Sequence, residues 1–307
     1  MKKILSLFTI LFFLLAGCQN NATPTGQTSS KKTVTVTTSF LKDMAKQLAG
    51  DLIDTELIIP AGEDPHLYTA KASDLDKLKK ADFVFYHGLH FEGKMVEVLE
   101  KTGVAVTKDF SKDDLGTFMQ DEEEVVDPHF WFNIKLYKLA TSTMSEELQK
   151  LLPEHKETIQ QNTKKYLAQL DELDAWNKEQ LSQIPEGSRY LVTPHDAFNY
   201  FAKSYNLTVH APQGISTASE VANAAMIETA NLIVDKKIKA IFSESTTNPE
   251  RMQKLKEAVE AKGGQVTVVT GEGKELFSDS LAPAGEDGDT YIDMYKHNVS
   301  LIVKYLK

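Results

Sequence analysis

Three of the eight histidines directly follow a proline, in the units Asp64-Pro65-His66, Asp127-Pro128-His129 and Pro194-His195-Asp196. Proline fixes its own φ and pushes the residue before it into an extended conformation, so each histidine sits on a stiffened loop rather than inside a helix. Such imidazoles suit a divalent first-row metal ion, which takes nitrogen and oxygen ligands readily. A single loop histidine is ordinarily a solvated or hydrogen-bonded side chain. Here three similar units lie beside apolar runs, Leu57-Ile58-Ile59, Phe130-Trp131-Phe132 and Tyr190-Leu191-Val192, and together they point to one shared metal site. A fourth ligand would be a carboxylate, and Asp196, Glu220, Glu244, Asp279 and Asp287 all qualify, with nothing in the spacing to choose among them. Asp64 and Asp127 suit either of two roles: acceptors for the histidines' other N–H groups, or turn formers before proline.

The elements that must position these residues alternate between strand-like and helix-like runs, which predicts an α/β architecture with parallel sheets. The β-branched run Thr33–Thr37 is the first strand, followed by a helix over Phe40–Leu48. A second strand, Leu52–Ile59, delivers His66. A helix over Ser73–Lys80 leads to the strand Phe83–Tyr86, to His87 and His90 in a loop, to Val104–Val106 and to an acidic loop at Glu122–Glu124. Two helical segments follow, Lys135–Leu152 and Glu154–Gln183. In the second, Tyr166, Leu170, Leu173 and Trp176 recur at intervals of three and four, with Pro153 at its start and Pro185 past its end. A helix of that length spans roughly 45 Å, enough either to join two lobes or to lie along one of them. Beyond Gly187 the alternation resumes, with strands at Arg189–Val192, Leu207–His210, Ala240–Phe242 and Val266–Val269. Helices are expected at 197–205, 219–235, 249–262 and 289–305. Ligands of open α/β sheets bind beyond the carboxyl ends of the strands, so a cleft between two α/β lobes is the expected location of the site.

Residues 1–17 read as an export signal: basic Lys2 and Lys3, then an almost wholly apolar run ending in Leu15-Ala16-Gly17-Cys18. Removing it changes the formal net charge from −10 to −12, since Lys2 and Lys3 are the charges it carries. Such acidity argues against nucleic acid as a partner. Cys18 is the only cysteine, so disulfides within the chain and thiolate ligands beyond it are excluded. Residues 18–32 are polar and read as a flexible tether. The expected organisation is therefore a first α/β lobe over 33–152, a linking helix over 153–184 and a second α/β lobe over 185–307.

Several phrases resemble the metal-binding lipoproteins of manganese and zinc ABC importers, the cluster A-I solute-binding proteins. They are the lipobox at Cys18, Gly62-Glu63-Asp64-Pro65-His66-Leu67-Tyr68, Gly88-Leu89-His90-Phe91-Glu92-Gly93, Asp127-Pro128-His129-Phe130-Trp131, Pro194 through Phe201, and Phe277-Ser278-Asp279-Ser280. The resemblance runs from the lipobox to the C-terminus. It implies two lobes, each a mainly parallel sheet flanked by helices, joined by one long rigid helix. It also implies four metal ligands, His66 and His129 from the first lobe and His195 and Asp279 from the second, with Glu244 at most a neighbour of the site and His87 and His90 not ligands.

On this resemblance Cys18 carries a lipid at the outer face of the membrane. The protein is expected to act as a monomer that captures a divalent ion and hands it to an ABC permease and its ATPase. Many manganese members have glutamate where this chain has His195, while zinc members often carry a histidine-rich loop where this chain has Asp121-Glu122-Glu123-Glu124. Manganese is the expected ion and zinc the alternative. A metal-dependent hydrolase is a competing class, but a catalytic zinc usually keeps three protein ligands and an open position for water. A surface adhesin is another, without repeats or adhesive low-complexity segments to support it. No enzymatic activity is expected.

Overall fold

The computed structural model describes residues 31–120 and 123–307. The expected signal sequence, Cys18 and all of the tether before Lys31 lie outside these residues.

The first sheet has four parallel strands: β1 (Lys32–Val36), β2 (Ile53–Leu57), β3 (Phe83–Tyr86) and β4 (Val104–Ala105), in the order β2-β1-β3-β4. In β1, Val34, Thr35 and Val36 are all fully buried, as a strand covered on both faces requires. Helix α1 (Ser39–Ala49) starts where Thr38 Oγ1 caps the Leu41 N–H, and it stops at Gly50, whose φ of 51° is left-handed. Helices α2 (Ala72–Lys80) and α3 (Val96–Thr102) complete this layer. The sequence reading omitted α3, a two-turn segment too short for its periodicity to stand out.

A second difference lies at 117–126. The expected acidic loop is an antiparallel hairpin of β5 (Thr117–Gln120) and β6 (Glu123–Val126), pairing Thr117 with Val126 and Phe118 with Val125. The apolar flanks of the acidic run supply the strand residues, and β6 ends directly before Asp127.

Helix α4 (Ile134–Leu151) begins at Asn133, whose Oδ1 accepts the N–H groups of Lys135 and Leu136. After a turn at Pro153–His155 comes α5 (Lys156–Leu181), 26 residues and about 39 Å long. It packs on α1 and α4, and farther along on α6 (Asn199–Tyr205) and α9 (Tyr291–Leu306), so it runs the length of both lobes rather than along one.

The second lobe has two parallel strand pairs. In one, β7 (Tyr190–Val192) pairs with β8 (Thr208–His210); in the other, β9 (Ala240–Phe242) pairs with β10 (Thr267–Val269), and β7 lies beside β9. Helices α7 (Asn223–Lys236) and α8 (Glu250–Ala261) cover them. Behind the cleft the lobes share one core. Tyr291 of α9 stacks on Tyr137 of α4 at 3.6 Å, its hydroxyl donates to the Trp131 carbonyl, and Tyr295 donates to that of Phe132. Among the described residues no helix is long and apolar enough to cross a membrane.

Candidate metal centre

All three Pro-His units lie in loops that emerge at the cleft. His66 follows β2, His129 follows β6, and His195 follows β7. Asp279 lies between the bridge Glu244–Leu276 and α9. The structure brings these four residues together: one ligand atom from each lies within 4.8 Å of every other. The three imidazole rings are 5.4 to 6.1 Å apart by their centroids. Asp279 reaches all of them, at 3.1 Å from His195 Nε2, 3.4 Å from His129 Nε2 and 3.8 Å from His66 Nε2.

The side chains of His129, His195 and Asp279 are completely buried, and that of His66 is 4% exposed. Among the described residues, the three Nε2 atoms and both Asp279 oxygens are nevertheless without hydrogen-bond partners of good geometry. Five such atoms converging inside a protein are costly unless something binds them. A divalent cation fits this donor set of three nitrogens and one carboxylate.

Two of the rings are oriented from behind by carboxylates, as metal-binding histidines usually are. Asp127 Oδ1 accepts from His129 Nδ1 at 2.7 Å and from its main-chain N–H at 3.0 Å, so this aspartate is both ring acceptor and turn former. Glu244 pairs with His195 Nδ1 and also accepts from Ser278 Oγ at 3.0 Å. Asp64 plays the turn role, its Oδ1 accepting only the His66 main-chain N–H, at 2.9 Å. Phe91 stands edge-on to His66 at 5.1 Å, and Trp131 packs on His129 at 5.2 Å while donating to the Ser278 carbonyl.

The charges follow from this geometry. Burial would push the His195 imidazole down, but the carboxylates of Glu244 and Asp279 outweigh it and hold it well above the ordinary value. At His129 burial is likewise outweighed, by Asp127 and Asp279, and the ring is lifted to about 9. His66, where burial prevails, falls to about 3. Burial would raise Asp279, yet His195 and His129 hold it well below the usual carboxylate range.

Of the five carboxylates open to sequence, Glu220 and Asp287 are exposed, Asp196 is half-buried outside the cluster, Glu244 stands behind His195, and Asp279 alone joins the imidazoles. His87 and His90 are not in the cluster. His87 is buried with its Nε2 against Thr38 Oγ1 at 2.7 Å, and His90 is exposed. Sequence reasoning missed Asn199 and Tyr200, which donate to Asp127 from the second lobe at 3.1 and 3.0 Å, and Ser278. The available signal was their place in the phrases Pro194 through Phe201 and Phe277-Ser278-Asp279-Ser280, which marks a neighbourhood and not a contact.

Residues 34–305 match the family described as "ZnuA: Zinc-uptake complex component A periplasmic". The chain is 36% identical to the "Manganese-binding lipoprotein MntA" of Bacillus subtilis (strain 168) over 301 residues, 96% of each chain. A solved structure concerned with the metal-binding specificity of TroA is 73% identical, with a TM-score of 0.90, covering 91% of this chain and 100% of that one. The periplasmic zinc-binding protein TroA from Treponema pallidum is 38% identical, with a TM-score of 0.85, covering 90% of this chain and 99% of that one. This chain therefore belongs to the ZnuA family of metal-binding substrate-binding proteins of ABC transporters, a family of transport proteins rather than enzymes.

Proposed function

We propose that this protein is an extracytoplasmic receptor, anchored by a lipid on Cys18, that captures manganese between its lobes and delivers it to an ABC permease and its ATPase. His66 and His129 of a first lobe spanning 33–152 and His195 and Asp279 of a second spanning 185–307 would hold the ion, with the helix of 153–184 linking them. The observation that carries the reading is the convergence of five buried, unpartnered polar atoms from both sides of one cleft. Four protein ligands favour holding an ion over activating water on it. Because α5 and the Tyr137–Tyr291 stack tie the lobes together, release proceeds by loop movement and slight tilting rather than wide hinge opening. The protein acts as a monomer.

Manganese is supported by the relative named for it and by the acidic, histidine-free run at 121–124. Zinc is the second reading, supported by the zinc-binding TroA relative and by the higher intrinsic affinity of such ligands for zinc. Competitive titration of metal-free protein with Mn2+ and Zn2+, read by thermal melting beside His195→Glu, separates them. A ligand at 100 times its Kd stabilises by about 2.7 kcal/mol. Manganese stabilisation at micromolar levels that His195→Glu retains is the expected result. Stabilisation by zinc alone makes this a zinc receptor, and stabilisation by neither ends the metal-site reading.

A further inference from the structure

The three histidines are not held alike. Asp127 grips both the ring and the main chain of His129, and Glu244 grips the ring of His195. Among the described residues, the only carboxylate hydrogen bond at His66 is from its main-chain N–H to Asp64. Its ring is positioned by packing on Phe91, and it is the one member of the cluster whose side chain retains any exposure. His66 thus forms the solvent side of the site, and the position of its turn depends on Asp64.

The second oxygen of Asp64 faces the other lobe. Oδ2 accepts from Thr217 Oγ1 at 2.6 Å, across 153 residues of sequence. Thr217 lies in the segment between β8 and α7, and that segment is tied firmly to the second lobe. Gln213 Nε2 donates to the carbonyls of Thr217 and Ser219, its own N–H donates to the Pro194 carbonyl, and Arg251 of α8 donates to Gln213 Oε1. The Thr217–Asp64 bond therefore joins a braced strap of one lobe to the turn that carries the least restrained histidine of the other.

Resting on the capture reading above, we propose that Thr217 and Asp64 are positioning residues forming a catch that sets how long the ion stays. Opening the cleft at this rim breaks the catch. The turn of His66 then withdraws while His129 and His195 stay held by Asp127 and Glu244, so release begins at His66. Uptake does not require the catch, because it closes only after His66 has come in.

The test uses the full chain in detergent, loaded with Mn2+ and mixed rapidly with excess chelator, with tryptophan fluorescence reporting through Trp131 beside His129. Thr217→Val keeps the shape and removes the hydroxyl. Losing a hydrogen bond to a charged group predicts dissociation about tenfold faster or more, with uptake and the melting temperature of the metal-free protein unchanged. Thr217→Ser restores slow release. Should Thr217→Val fail to fold, Asp64→Asn is read in its place, since it preserves an acceptor for the His66 N–H while weakening the charge-assisted bond. Parental release rates in these variants, slower uptake with release unchanged, or no rescue by serine overturns the catch while leaving capture intact. If the parent takes up no Mn2+, capture and catch fall together.

Discussion

Loading the centre at neutral pH should expel about two protons per ion. With the ring of His129 lifted to about 9 and that of His195 held well above its ordinary value by Glu244 and Asp279, both carry protons at pH 7, whereas His66, at about 3, is neutral. An ion needs a lone pair on each Nε2, so the two imidazoliums must release the protons they hold there. The exchange conserves charge, because two protons leave as a divalent ion arrives. The buried carboxylates of Asp127, Glu244 and Asp279 face the same total countercharge before and after. Linkage then makes the apparent affinity rise about 100-fold per pH unit between about pH 6 and 8. Glu244→Gln removes one of the two carboxylates that raise His195, so proton release should fall below two and the pH slope should flatten. The lost orientation of the ring should also weaken binding by about 10- to 100-fold. Calorimetric titration with Mn2+ in buffers of different ionisation enthalpy counts the protons directly. An uptake enthalpy for the parent that is the same in every buffer at pH 7 would refute the argument.

Two further predictions test what surrounds the site. Glu92 is fully buried, and burial pushes it from 4.5 up to about 7, so its contribution to stability is complete below pH 4.5 and is lost as pH rises through about 7. That loss is about 3 kcal/mol, and Glu92→Gln should remove it from urea unfolding curves measured across the window; parallel pH profiles for parent and variant would contradict it. Gly93 has φ +48°, and a Cβ there would stand 2.7 Å from the His66 carbonyl oxygen. Gly93→Ala should cost about 1–3 kcal/mol and weaken Mn2+ binding by displacing His66; a variant that melts lower but binds as the parent does would sink the second half.

The fold was legible wherever a local pattern had enough length to repeat. The β-branched run at Thr33–Thr37 appears as β1, shifted by one residue, because strand propensity and burial agree there. The periodic apolar stripe through Tyr166, Leu170 and Leu173 is the buried face of α5. Whether that helix joined two lobes was open, because periodicity shows that a face is buried and not what buries it. The answer depended on α1 and α4 at one end and α6 and α9 at the other. The hairpin at 117–126 was hidden because its acidic residues outweigh short apolar flanks in any local reading.

The same division runs through the centre. Proline stiffening is a nearest-neighbour effect, so the sequence by itself singled out His66, His129 and His195 as loop histidines able to meet at one ion. A carboxylate carries no comparable local mark. Asp279 was preferred to Asp196, Glu220, Glu244 and Asp287 only by family resemblance, and what separates them physically is distance, exposure and the loop geometry ahead of α9. Tertiary structure decided which side chains meet in the long-range supporting contacts. Asn199 on Asp127, Glu244 on His195 and Thr217 on Asp64 are separated by 72, 49 and 153 residues. The first and third exist only once two lobes close over a cleft, and the second only once β7 and β9 lie side by side, since the free energy that selects them is that of burying polar groups together and not of any preference along the chain.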